Sequence, residues 1–258
     1  MFNRPHFSAR LFEHKKVLHI RIHKNASSSQ HMMMWDEAPE FLEDFEPNNV
    51  LQTHYDFDIK ASTTERLHTF LDNHFKGYKK SVFIREPLQR FPSALAQDCF
   101  NSKWPVKKTT FDVFESFERK MEEFEKSPSW ESLLKIMGVS SGNDNHVAPQ
   151  TNICNFEVLP EDIIYFDVDA NLKYNYFHWL YNKDPIKDID KILSKESNWA
   201  NNSNRHPEKT HIKKCVQRYI DDPKSNLVSW IKEAYSKDFD MYKKFKSLCY
   251  REGENYGR

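Results

Sequence analysis

Two short runs of the sequence put cations and hydroxyls at spacings suited to holding an anion. The first is Ile22-His-Lys-Asn-Ala-Ser-Ser-Ser29, in which Lys24 supplies a mobile positive charge and Ser27, Ser28 and Ser29 supply three successive hydroxyl donors. The second is Phe83-Ile-Arg-Glu-Pro-Leu-Gln-Arg-Phe-Pro-Ser93, with Arg85 at a strand end and Ser93 about two turns into the following helix, a spacing that lets both reach one phosphate. Arg90 in the same run has the character of a brace for that corner, acting through a carboxylate, and stands outside the candidate site. Among twelve histidines, His54 closes the run Gln52-Thr-His54, and His146 lies in the polar loop Asp144-Asn-His-Val-Ala-Pro-Gln150. Either imidazole titrates near neutrality and can accept a proton.

Elements of alternating type position these residues. Lys16 to His23 alternates with a strand's period, placing Leu18, Ile20 and Ile22 on one face and His19, Arg21 and His23 on the other. The Lys24 loop and a helix from Gln30 follow, so the loop presents unpaired N–H groups and a positive helix terminus. Val50 to His54 reads as a second strand, Ser62 to Glu65 as a capping box opening a helix, and Ser81 to Arg85 as a buried parallel strand with Pro87 starting the next helix. Pro92 predicts a bend near Ser93. Phe111, Phe114, Phe117, Met121 and Phe124 form one helical stripe, and Ile163 to Phe166 supplies a further strand. Helices are predicted over Leu172–Leu180, Pro207–Ile220 and Leu227–Tyr242. This alternation implies α/β: a three-layer α/β/α arrangement around a central, mainly parallel sheet with a helical C-terminal part.

Composition narrows the class. The chain has 258 residues, 38% hydrophobic and 14% aromatic with 20 Phe and 11 Tyr, enough to build a core of bulky rings. One domain spanning 1–258 is expected, with a cofactor-binding core at about 16–100 and acceptor-side helices and loops at about 101–258. Lys plus Arg equals Asp plus Glu at 38 each, so a nucleic-acid coat or a basic membrane-binding face is excluded and any anion site is local. Lys15, Lys16, His19, Arg21 and Lys24 interrupt every apolar run near the start, which predicts neither a signal segment nor a membrane span. The four cysteines lack C-x-x-C spacing, so free thiols are expected rather than a metal site or disulfides. The Lys24 loop lacks both glycines of the G-x-x-x-x-G-K-S/T triphosphate motif, and no apolar strand ending in a magnesium-binding Asp is obvious.

Together the two runs resemble the cofactor signature of sulfotransferases that use 3′-phosphoadenosine 5′-phosphosulfate (PAPS), especially the carbohydrate-sulfotransferase branch. That signature has a strand, a loop of Lys, any residue, Ala or Gly and two hydroxyl residues, then a later strand ending in Arg, an acid and Pro, with Arg and Ser downstream. The resemblance implies a P-loop NTPase-like sulfotransferase fold. It also implies that Lys24, Asn25, Ala26, Ser27, Ser28 and Ser29 hold the 5′-phosphosulfate, with Arg85 and Ser93 on the 3′-phosphate. His54 sits where the heparan-type 2-O-sulfotransferases carry a catalytic His after Gly, although Thr53 replaces that glycine here. Asp144 to Gln150 is similar to a D-x-H-x-x-P-Q segment of the same branch, which makes His146 the rival base. Asn201 to His206, with Arg205 near the 3′-phosphate or adenine, and Tyr235 to Asp240 match C-terminal segments more loosely.

The implied reaction moves the sulfo group from PAPS to a hydroxyl of a carbohydrate or small hydroxylated metabolite by in-line displacement. Lys24 would serve the leaving oxygen and a His would serve as base, with no metal demanded. A cytoplasmic location is expected. Two other classes stay open: a P-loop-like nucleotide or small-molecule kinase, and a non-catalytic phosphonucleotide-binding module.

Overall fold

A computed structural model describes residues 7–12, 16–22, 24–26, 53–57, 75–101, 110–138, 146–154, 156–181 and 207–251. The strands are β1 (Phe7–Phe12), β2 (Val17–Ile20), β3 (Thr53–Phe57), β4 (Lys79–Ile84) and β5 (Ile163–Asp167). The helices are α1 (Pro87–Asn101), α2 (Thr110–Lys126), α3 (Trp130–Met137), α4 (Gln150–Ile153), α5 (Leu172–Tyr181), α6 (Pro207–Asp221), α7 (Asn226–Ala234) and α8 (Ser236–Lys246). The chain divides into two compact units. A sheet unit holds Pro5–Arg85, Ile153–Ala200 and Met241–Arg258, and a helical unit holds Met1–Arg4, Glu86–Asn152 and Asn201–Asp240.

In the sheet unit five strands lie in the order β3-β1-β2-β4-β5. β2, β4 and β5 are parallel neighbours, as expected for an open α/β sheet. β1 corrects the expectation of a mainly parallel sheet, because it runs antiparallel to both β2 and β3. It joins β2 through a connection of a few residues, and so short a link permits only an antiparallel pair. Among the described residues β3 runs from Thr53 to Phe57, pairing Thr53 with Leu11 and Phe57 with Phe7, and the Val50 to Gln52 part of the expected strand lies outside them.

β2 and β4 are covered on both faces. One face buries Val17, Phe83 and Phe166 under Leu172, Tyr176 and Leu180 of α5. The other buries Leu18, Ile20, Val82, Ile84 and Tyr165 against Phe156, Leu159, Met241, Tyr242 and Phe245. Helix, sheet and helix therefore form three layers within this unit. The polar face predicted for β2 is buried too: His19 is 1% exposed, with Nδ1 3.0 Å from Ser81 Oγ and its ring edge-on to Phe83. Lys79 at the start of β4 donates to the carbonyls of Trp179 and Leu180, closing the C-terminal end of α5.

The helical unit packs Phe91, Leu95 and Cys99 of α1 against Phe117, Met121 and Phe124 of α2, with Ile212 and Val216 of α6 and Leu227 and Ile231 of α7 closing the core. The predicted aromatic stripe of α2 thus faces inward from Phe117 onward, while Phe114 is half-buried and stacks on His211. α1 runs through Pro92 without interruption. The single helix expected over Leu227–Tyr242 is two helices, parted at Tyr235, whose φ of −112° and ψ of 22° leave the helical region. The buried Tyr235 hydroxyl donates to Val147 O at 2.6 Å, an anchor that fixes the break. All four cysteines are free and buried. Burial pushes Cys99 and Cys154 well above the ordinary thiol range and Cys249 up to about 12, so these thiols are poor nucleophiles.

Candidate active site

In the sheet unit the loop after β2 turns within a few residues. Lys24 and Ala26 both adopt left-handed backbone, with φ of 65° and 53°, and Asn25 between them does not. Alternation of this kind turns successive N–H groups toward one concave side, the geometry of an anion nest. Left-handed backbone at two non-glycine residues costs roughly 1–2 kcal/mol each, so surrounding contacts must hold it. Asn25 supplies one: fully buried, it donates Nδ2 to Phe83 O of β4 at 2.7 Å, and its N–H reaches Ile22 O at 3.3 Å. Its side chain is a strut and its N–H is taken by Ile22 O, so Asn25 serves to hold the turn. Ala26 packs on the cluster of Val17, Phe83 and Phe166.

Arg85 follows β4 directly and comes to the same loop. Its Nη1 lies 3.5 Å from the carbonyl oxygen of Lys24, and its Nε donates to Asp169 Oδ1 at 3.1 Å. Asp169 is in turn held through its N–H by Asp167 Oδ1, while Val168 N–H reaches Ile84 O. Asp169 carries no motif; the signal that could have found it is its place just beyond an apolar strand beside the Arg85 strand. β5 also corrects one sequence argument, for it is an apolar strand that ends in an acid, Asp167. That acid is 5% exposed and both of its oxygens serve the corner, one taking the Asp169 N–H and the other the Tyr242 hydroxyl at 2.8 Å.

In the helical unit a second constellation surrounds His146. Asp98 of α1, 4% exposed, accepts from His146 Nδ1 at 2.6 Å and from the N–H groups of His146 and Val147 at 2.9 Å each. Arg90, 1% exposed, donates to the carbonyls of Ala148 at 2.9 Å and His146 at 2.7 Å. The brace expected of Arg90 acts on these two backbone carbonyls. Asp238, fully buried in the first turn of α8, accepts from the N–H groups of Gln150 and Thr151 and from the Thr151 hydroxyl. Burial raises its carboxyl above the ordinary 3.8, opposed by those donors and by the charge of Arg90. The loosely matched Tyr235 and Asp238 are thus a clamp on the His146 segment.

The remaining candidates are placed as follows. His54 is the second residue of β3, not the end of its strand, and lies opposite Arg10 in the row that continues to His19. Ser93 is half-buried as the seventh residue of α1. Ser27, Ser28, Ser29 and Arg205 lie outside the described residues, as does the helix predicted from Ser62. The structure brings Lys24 and Arg85 together. Among the described residues no group of three or more His, Cys, Asp or Glu is arranged to hold a metal ion, and no helix is long and apolar enough to cross a membrane.

With these positions established, comparison with known proteins decides the family. A model described as "Sulfotransferase family" matches residues 8–246, nearly the whole chain and both candidate runs. The chain belongs to the sulfotransferase family. The matched group is the carbohydrate sulfotransferase family expected from the two motifs. Comparison with curated proteins and with solved structures returned no match. As a sulfotransferase the chain transfers a sulfo group to a hydroxyl-bearing acceptor, and its open α/β sheet is consistent with the family fold.

Proposed function

We propose that this sulfotransferase takes its sulfo group from PAPS and delivers it to a hydroxyl of a carbohydrate or small hydroxylated metabolite in the cytoplasm. The observation that carries the donor assignment is the meeting of the two motif halves: Arg85 ends β4 with its guanidinium at the carbonyl of Lys24, whose loop has the alternating backbone of an anion nest. A donor with phosphates at both its 3′ and 5′ positions calls for two cationic groups near one sheet edge, and Lys24 and Arg85 meet that need. The charge of Asp169 on Arg85 orients the guanidinium, leaving its planar fork suited to a phosphate.

In this reading Lys24 donates to the phosphate oxygen that gains charge as the sulfur–oxygen bond breaks, and the N–H groups of the loop hold the neighbouring oxygens. Arg85, with Ser93 as its expected helper, distinguishes the 3′-phosphorylated nucleotide from ordinary adenine nucleotides. PAPS, when bound, supplies the activated sulfo group. A histidine takes the acceptor's proton, and His146 has the stronger support because its ring is held by a buried carboxylate.

Calorimetric titration with the desulfated product, 3′-phosphoadenosine 5′-phosphate (PAP), beside ATP with magnesium and 5′-AMP, tests the donor. Preference for PAP is the expected result and opens an acceptor screen with labelled PAPS. Preference for ATP with magnesium, or no nucleotide binding, overturns it in favour of a kinase or a different donor.

A further inference from the structure

The residue that orients His146 belongs to none of the motifs. Asp98 lies 48 positions away in sequence, on the buried side of α1, and three donors converge on its carboxylate: the ring Nδ1 of His146 and the N–H groups of His146 and Val147. A carboxylate receiving three donors is held as the anion, and an anion can only accept. The proton on the ring must then sit on Nδ1, which puts the lone pair on Nε2. The backbone beneath the ring is fixed from the other side, since Arg90 holds the His146 carbonyl and the Tyr235 hydroxyl holds that of Val147. The His146 side chain keeps 19% exposure, so the ring is oriented without being sealed from solvent.

We propose that Asp98 is the positioning residue of a proton-accepting dyad: it fixes His146 as the Nδ1–H tautomer and so makes Nε2 the atom that takes the acceptor's proton. This rests on reading the chain as a PAPS-using sulfotransferase with a histidine base. As the acceptor oxygen forms its bond to sulfur, the bond from sulfur to the phosphate oxygen breaks and its electron pair stays on PAP. The hydroxyl proton passes to Nε2, and the imidazolium so formed is stabilised by Asp98 until it loses the proton to water. The charged groups set against this segment are Asp98 and Arg90 from α1 and Asp238 from α8, with the Tyr235 hydroxyl between them. Of the two carboxylates Asp98 is the one bonded to the ring, while Arg90 bonds to the backbone beneath it.

The test is nitrogen-15 NMR of the full chain labelled at histidine, with the His146 signals identified by their loss in His146→Gln. In the native protein the neutral ring should be the Nδ1–H tautomer. In folded Asp98→Asn that preference should weaken or be lost, because an amide can either accept from Nδ1 or donate to it. With the acceptor returned by the labelled-PAPS screen, Asp98→Asn should lower kcat more than it raises KM and should add little to the loss already caused by His146→Gln. A purely structural Asp98 would instead lower activity equally in both backgrounds. An Nε2–H tautomer in the native protein, or an unchanged tautomer in folded Asp98→Asn, overturns the proposal. If Asp98→Asn does not fold, the native tautomer decides alone. Failure of PAP to bind, with the Nδ1–H tautomer present, would remove the donor reading while leaving the dyad standing.

Discussion

At the scale of single residues, the proposed function divides the work of turnover and binding between Lys24 and Arg85. Lys24→Ala should lower kcat by about 100-fold or more, as loss of a donor to developing charge does, while PAP affinity measured by calorimetry changes far less. Arg85→Ala should weaken PAP by about 1.5–3 kcal/mol, the worth of a charge-assisted phosphate contact, and leave ATP affinity little changed. Asp169→Asn separates orientation from charge. It frees the guanidinium of its ionic partner, and weaker PAP binding despite the added net positive charge would mark Asp169 as holding Arg85 in place. Tighter binding would show the acid to be a competitor.

At the scale of elements, the His146 segment owes its form to helices rather than to its own sequence. Tyr235→Phe should cost about 1–2 kcal/mol in urea unfolding because it leaves the buried Val147 carbonyl without its hydroxyl donor. Arg90→Lys should cost at least as much, since one ammonium cannot span the two carbonyls that the guanidinium bridges. Strands β2, β4 and β5 and the helices of the C-terminal part were legible in the sequence because each is a bounded run with one clear period. β1 was not: Phe7 to Phe12 is short, carries Arg10, and becomes a strand through pairing on both edges. β3 continues past its expected end at His54, because pairing with β1 sets Tyr55, Asp56 and Phe57 opposite Ala9, Ser8 and Phe7. Of the candidate residues, Lys24 and Arg85 of the sheet unit, and separately His146 of the helical unit, were legible because each stands in a motif. Asp98 was not, because an acid in a helix reads as solvated until the fold brings a loop from 48 residues away onto it.

At the scale of the whole molecule, buried charge ties stability to pH. Asp238 has its carboxyl raised by burial, so the unfolded chain, with an ordinary value of 3.8, gives up that proton first as pH rises. The native state then binds more protons than the unfolded one across that window, and this group's contribution to stability falls as pH climbs from 3.8 toward the native value. The stability cost of Asp238→Asn should therefore shrink from acid to neutral pH when urea midpoints are compared. A cost that grows would mean the donors from Gln150 and Thr151 outweigh burial and hold the group ionised. The same clamp has a kinetic signature. The amide protons of His146, Val147, Gln150 and Thr151 all end on buried carboxylates. In deuterated water they should exchange on the slow timescale of helix interiors, so that a stretch with little regular structure is among the last parts of the protein to exchange.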